Sequence, residues 1–208
     1  MVGTSLELQR LRTHLSAKQS VPSPGTSHLN AATAPWIEEK TMNAEEIIQL
    51  LGLQPHPEEG GFFAETYKCE EGIPRKALPD RYHSRRSFGT AIFYLLTPDT
   101  FSELHRLESD EIFHFYLGDP VTMLQLRPDG DSQLLTLGQD IAAGQQLQVV
   151  VPRGTWQGAF LNDGGEYALL GCTVAPGFEY ADYETASRAD LLKEYPEQSE
   201  LIVRLTTY

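Results

Sequence analysis

The chain has 208 residues and a formal net charge of -13, so its field repels phosphate backbones and disfavours nucleic acid as a partner. Hydrophobic residues make up 40 %, yet no apolar run approaches the roughly 18 residues a membrane span requires. The length suits one domain with an appendage, and the two cysteines, Cys69 and Cys172, read as reduced thiols inside strands. They lack the C-x-x-C spacing of a zinc site and the density of a disulfide framework.

Residues 1–40 differ from the remainder. Leu8, Leu11 and Leu15 form a helical stripe, but the stretch from Ser20 to Pro35 is rich in Ser, Pro, Thr and Ala. Such a composition buries too little apolar surface to offset ordering entropy. We read residues 1–40 as a flexible extension and 41–208 as the folded domain. A cytoplasmic protein is expected; because the extension is acid-poor and Ser-rich and carries arginines, an organelle-targeting segment is the alternative.

The domain begins with Asn43-Ala44-Glu45-Glu46, an N-cap with a carboxylate three residues on. Ile47, Ile48, Leu50 and Leu51 continue a short helix, and Gly52 ends it. A turn-rich corner, Pro55 to Gly61, leads into a series of short strands. The expected strands are Phe62–Cys69, Gly89–Leu96, Ser102–Leu107, Glu111–Leu117, Val121–Arg127, Gln133–Leu137, Leu147–Val151, Trp156–Leu161 and Tyr167–Val174. A last edge is expected around Phe178–Tyr183. Asp129-Gly130 marks a hairpin. Two short helices, Ser187–Tyr195 and Glu197–Leu205, flank Pro196. Many short strands without alternating helices imply an all-β sandwich or barrel.

One constellation carries chemistry. His105, Glu111 and Gly118 lie in one stretch, and Pro152-Arg153-Gly154-Thr155-Trp156-Gln157 follows on a later strand. Alternate residues of barrel strands face inward, so these side chains can converge on one interior point. The pattern resembles the two motifs of the cupins, whose jelly-roll barrel places a histidine pair, a glutamate and a further histidine around a common site. His105, Glu111, Gly118, Pro152 and Gly154 match; Leu107 and Gln157 stand where two histidines are expected. The spacing from Gly144 to Pro152 is also longer than the superfamily pattern. The stretches EEGGFFAETY, TAIFYLLTPDTFSELHRLESDEIFHFYLGDP, VVVPRGTWQGAF and GCTVAPGFEYADYE are similar to a small cupin family known as a domain of unknown function. That resemblance covers about Ile47 to Tyr183. It implies a cupin double-stranded β-helix, a tendency to homodimers, and a likeness to sugar-nucleotide epimerases.

Through the resemblance, His105 becomes a metal ligand or a general base, and Glu111 a ligand or acid partner. With two imidazoles missing and an amide a weak ligand, no resident metal or other cofactor is expected. His114 faces away from Glu111 on a regular strand. Glu65 and Tyr67 share a face with Phe63 if their strand is regular. Arg81, Arg85 and Arg86, clustered with His83, are candidates to hold a phosphate or carboxylate. Tyr180 and Tyr183 can cover the mouth, and a phenol can act as general acid. The candidate catalytic residues are therefore His105, Glu111, Glu65 and Tyr180, and the candidate binding residues are Arg85, Arg86, Arg106, Gln157, Tyr67 and His114. Two functions lead: metal-independent proton transfer on a sugar or sugar nucleotide, or a non-catalytic module that binds a small molecule such as a nucleotide. A metal-dependent cupin enzyme is the third alternative, which leaves the metal open.

Overall fold

The computed structural model describes residues 42–207, so the expectations for residues 1–40 lie outside the described residues. The chain runs through α1 (Ala44–Leu51), β1 (Gln54–Pro55), β2 (Phe62–Lys68), β3 (Gly72–Ile73), β4 (Arg86–Ser87) and β5 (Thr90–Leu96). It continues with β6 (Phe101–Leu107), β7 (Glu111–Gly118), β8 (Val121–Leu126), β9 (Ser132–Leu137) and β10 (Gln148–Val151). The last elements are β11 (Trp156–Leu161), β12 (Ala168–Val174), β13 (Tyr183–Thr185), α2 (Arg188–Glu194) and α3 (Ser199–Arg204). One sheet has the order β1-β2-β5-β12-β7-β10, and a second has β13-β6-β11-β8-β9. Every pairing within them is antiparallel, including neighbours distant in sequence such as β12 with β5 and β7. These crossovers between two facing sheets give a jelly-roll barrel. No helix among the described residues is long and apolar enough to cross a membrane.

Period-two alternation builds the interior. On β7, Phe113 and Phe115 enter the core together with Leu170 and Cys172 of β12 and with Tyr94 and Leu96 of β5. The second sheet contributes Met123, Ala159 and Leu161 to the same cluster. Each fully buried aliphatic or aromatic side chain here stabilises by about 1.5–3 kcal/mol. β11 is buried along its whole length because both its faces are covered. Ala159 and Leu161 point to the barrel core, whereas Trp156 and Phe160 pack against Leu191, Tyr195 and Ile202 of the C-terminal helical segment.

Local chemistry sets the element ends. The Asn43 side chain accepts a hydrogen bond from the Glu46 amide at 2.9 Å, and Glu46 reaches back to the Asn43 amide. Gly52 closes α1 with a φ of 64°. Asn43→Ala is expected to cost about 1 kcal/mol, measured as a lower urea midpoint with unchanged slope. The Asp129-Gly130 hairpin joins β8 to β9 as expected, with Leu126 opposite Ser132.

The final edge strand differs from expectation. Residues Tyr180–Asp182 form a single tight 3-10 turn, and pairing with β6 begins at Tyr183. The reason is Asp182, whose carboxylate turns inward to receive Nε of Arg86 at 2.6 Å and a second guanidinium nitrogen alongside it. Both side chains are buried.

Candidate active site

The corner between β1 and β2 is held tightly against the barrel. The His56 amide donates to the Gly61 carbonyl at 3.0 Å, the Glu103 amide donates to the Glu59 carbonyl at 2.8 Å, and the Tyr94 hydroxyl donates to the Gly60 carbonyl at 2.9 Å. Gly60 and Gly61 both have positive φ, and a Cβ on Gly60 would sit 2.6 Å from the Phe101 carbonyl oxygen. Only glycine fits that approach. The consequence is that His56 and Glu59 are carried over the barrel mouth.

On β6 a bulge decides which residues face inward. Gln157 is opposite His105, but Ala159 is opposite Ser102, so β6 has one residue more than β11 over this stretch. Ser102 and His105 are three apart, and both are buried on the interior side, while Leu104 turns out to the C-terminal helices. Glu111 and Cys172 arrive from β7 and β12, and Gln157 from β11 on the same side as Ala159 and Leu161.

Glu111 and Cys172 line a cavity of about 90 Å³ together with His56, Glu59, Glu65, Phe178 and Tyr180 among others. His105 is buried and adjoins Glu59 of the cavity wall. Its Nδ1 is 2.7 Å from the Glu103 carbonyl oxygen, which makes Nδ1 the protonated nitrogen. Nε2 therefore carries the lone pair; it accepts from the Gln157 amide at 3.2 Å and stands 3.7 Å from Glu59 Oε1. His56 has the opposite tautomer. Its Nδ1 accepts from the Glu59 amide at 2.8 Å, so Nε2 bears the proton and faces Glu59 Oε1 at 3.7 Å. Glu59 thus lies between an N–H and a lone pair. The Gln157 amide nitrogen also donates to Glu111, joining both carboxyls to His105, and its own carbonyl oxygen is buried without a partner.

Burial dominates the electrostatics. Loss of solvation raises Glu59 to about 8, with its hydrogen bond to Ser102 acting the other way. Burial first, then the charge of Glu59, raises Glu111 to about 7, against the opposing influence of His105 and Gln157. Burial lowers His56 to about 4 and lowers His105, so both imidazoles are neutral at physiological pH. The Cys172 thiol, hydrogen-bonded to Glu111, is pushed well up by burial.

Of the residues expected from sequence, Glu111 and Gln157 meet at this point, and Glu65 and Tyr180 line the cavity. His105 belongs to the cluster through Gln157 and Glu59 but does not itself line the cavity, whereas the carboxyls of Glu59, Glu65 and Glu111 do. Tyr67 does not share the face of Glu65. A bulge at Glu65/Tyr67 in the pairing of β2 with β5 breaks the alternation, and Tyr67 is 55 % exposed. His114 lies on the outer face of β7 with Thr173 and Gln148. The arginines are all engaged elsewhere: Arg86 with Asp182, Arg85 with the Glu70 carbonyl at 2.7 Å, Arg81 with the Glu108 carbonyl at 2.9 Å, and Arg106 with Glu184 at 2.8 and 3.0 Å. They form no anion cradle at this cavity. His56 and Glu59 were not singled out from sequence. The available signal was the glycine pair that follows two acids, since such a pair marks a backbone pressed against another strand.

The cupin superfamily includes metal sites, so the donor set matters. Leu107 lines the cavity where a second imidazole would be needed, Gln157 turns its amide nitrogen to the centre, and His56 presents N–H. An amide nitrogen is no metal ligand, and among the described residues no group of three or more His, Cys, Asp or Glu side chains is arranged so that it could hold a metal ion. This donor set does not fit a resident metal.

A jelly-roll barrel with buried ionisable groups beneath one mouth defines a cupin-type protein. The chain belongs to the cupin superfamily family DUF985, whose profile matches residues 45–186. It is 31 % identical over 144 residues to the uncharacterised protein YML079W of Saccharomyces cerevisiae, covering 65 % of this chain and 71 % of that one. Among solved structures, protein SO0799 of Shewanella oneidensis is similar at 33 % identity with a TM-score of 0.71, covering 80 % of this chain and 99 % of that one. A hypothetical protein from Leishmania major matches at 30 % identity and the same TM-score, covering 80 % and 100 %.

Proposed function

We propose that the barrel mouth is a metal-independent proton-transfer site of the isomerase type, acting on a small polar molecule with an acidic C–H beside a carbonyl. The observation that carries this reading is the pair Glu59 and Glu111, two carboxyls on one cavity with values raised to about 8 and about 7. Near neutral pH such a pair holds about one proton between its members, so one is an acid while the other is a base. Glu111, the more acidic of the two, removes the proton from carbon. Glu59, still protonated, delivers one to the carbonyl oxygen or to the opposite face of the same carbon. His105 and His56 hold Glu59 between a lone pair and an N–H, and Gln157 fixes Glu111. Positioned groups of this kind accelerate proton transfer by roughly 10²–10⁴-fold.

The cavity size supports a small substrate. An apolar void of ~150 Å³ accepts a benzene ring, so about 90 Å³ suits the reacting end of a sugar rather than a whole sugar nucleotide. The test is wash-in of solvent deuterium. Aldoses, ketoses and their amino derivatives are incubated with the full chain in heavy water, and label at the carbon beside the carbonyl is read by NMR. Label is expected with the parent protein and should fall by about 10²-fold or more in Glu111→Gln. Ligand binding without label in the parent would overturn the enzyme reading in favour of a binding module.

A further inference from the structure

We infer that the molecule admitted to this cavity carries a positive charge, and that the mouth selects a small organic ammonium. The inference deepens the proton-transfer reading and rests on the same cavity. Three carboxyls, Glu59, Glu65 and Glu111, line it, and no lysine or arginine does so among the described residues. His56, also in the wall, is neutral because burial lowers it to about 4. Lys68, on the same strand as Glu65, is paired with Glu179 at 2.9 Å, so it offers no net charge to an incoming anion. An anion here meets only like charge or uncompensated burial, both of which oppose it.

Aromatic rings supply the second half of the receptor. Phe63, Phe178 and Tyr180 line the same cavity. Phe178 and Tyr180 meet edge to face with centroids 5.1 Å apart and planes at 77°, and His56 meets Phe63 at 4.7 Å and 66°. Rings set at steep angles beside a carboxylate form the kind of corner that attracts an ammonium group through its ring quadrupoles and excludes an anion. An ammonium also satisfies what the site leaves open. It counters the mutual repulsion that helps raise Glu111, so bound substrate holds the base in its ionised form. Glu65, exposed on β2 at the entrance, is the charge such a group meets first.

The experiment uses three probes of similar size on the full chain near neutral pH: ethanolamine, ethylene glycol and glycolate. Binding is followed by NMR titration. Ethanolamine is expected to bind about tenfold more tightly than ethylene glycol, in line with the strength of a partly desolvated cation–π contact, and glycolate more weakly than either. Glu65→Gln, at an exposed position that tolerates the change, should weaken ethanolamine severalfold more than it weakens ethylene glycol. Equal binding of ethanolamine and ethylene glycol, a preference for glycolate, or no binding of any probe overturns the inference. Deuterium wash-in separates the two readings. Label without an ammonium preference overturns the charge inference alone, and an ammonium preference without label overturns proton transfer alone.

Discussion

Replacing Asp182 with alanine is expected to destabilise the domain by about 3–5 kcal/mol, because it leaves the Arg86 guanidinium buried without its counter-charge. Arg86 is completely inaccessible and Asp182 nearly so. The remaining acceptors of Arg86 are Ser84 and the Arg85 carbonyl, which are neutral and do not offset a desolvated charge. For a chain of this size a loss of that order lowers the melting temperature by about 10 °C. The double variant Arg86→Met with Asp182→Leu should recover most of the loss, since a buried pair exchanged for apolar groups of similar volume is often neutral. A single-variant loss under about 1 kcal/mol would show that Arg86 finds water when Asp182 is gone and would refute the account. The pair also affects the site. Asp182 lies between Tyr180, which lines the cavity, and Tyr183, which stacks on His105 with centroids 5.0 Å apart. Loss of the pair should therefore loosen the mouth before the domain unfolds globally.

The same residues show what sequence could and could not convey. Strands β2 and β5–β12, the α1 cap and the Asp129-Gly130 hairpin depend on local alternation and turn chemistry, and they appear where the pattern put them. The meeting of Glu111 with Gln157 followed from motif spacing on inward faces. What failed depended on long-range partners. Arg86 looked like part of a basic loop because its partner is 96 residues away. Tyr67 lost the face of Glu65 to a bulge that leaves no compositional mark. Ser102 and His105 share the interior for the same reason on β6, where strict alternation would put them on opposite faces. His56 and Glu59 reach the cavity through backbone hydrogen bonds to β6 and to Tyr94, which periodicity cannot reveal. The cavity is thus lined by more carboxyls, and by fewer imidazoles, than the histidine motif implied.

Stability should decline as the solution becomes alkaline, and the decline should disappear when Glu59 and Glu111 are made neutral. Both carboxyls rise from an ordinary 4.5, to about 8 and about 7 respectively. Between those limits the folded state binds more protons than the unfolded chain, so each increase in pH removes stability. Their contribution is complete below the unfolded value and is lost as pH climbs through the folded one. His56, lowered from 6.5 to about 4, has the opposite sign. The unfolded chain binds its proton first, so stability rises with pH across that window, and His105, lowered by burial, adds in the same direction. The two trends oppose one another up to the ordinary histidine value of 6.5, and above it only the carboxyl decline remains. Glu59→Gln keeps the shape of the side chain and removes the charge, so it should match the parent near pH 4 and exceed it by several kcal/mol near pH 9. The double variant with Glu111→Gln should have an almost flat alkaline limb in urea titrations taken across the range. A variant whose alkaline decline parallels the parent would mean that solvent reaches these carboxyls in the folded state, and the raised values that underlie the acid–base pair would fall with it. If the gain is seen together with loss of deuterium wash-in, the desolvation that weakens the fold at high pH is the same desolvation that holds a proton-transfer pair ready near neutrality.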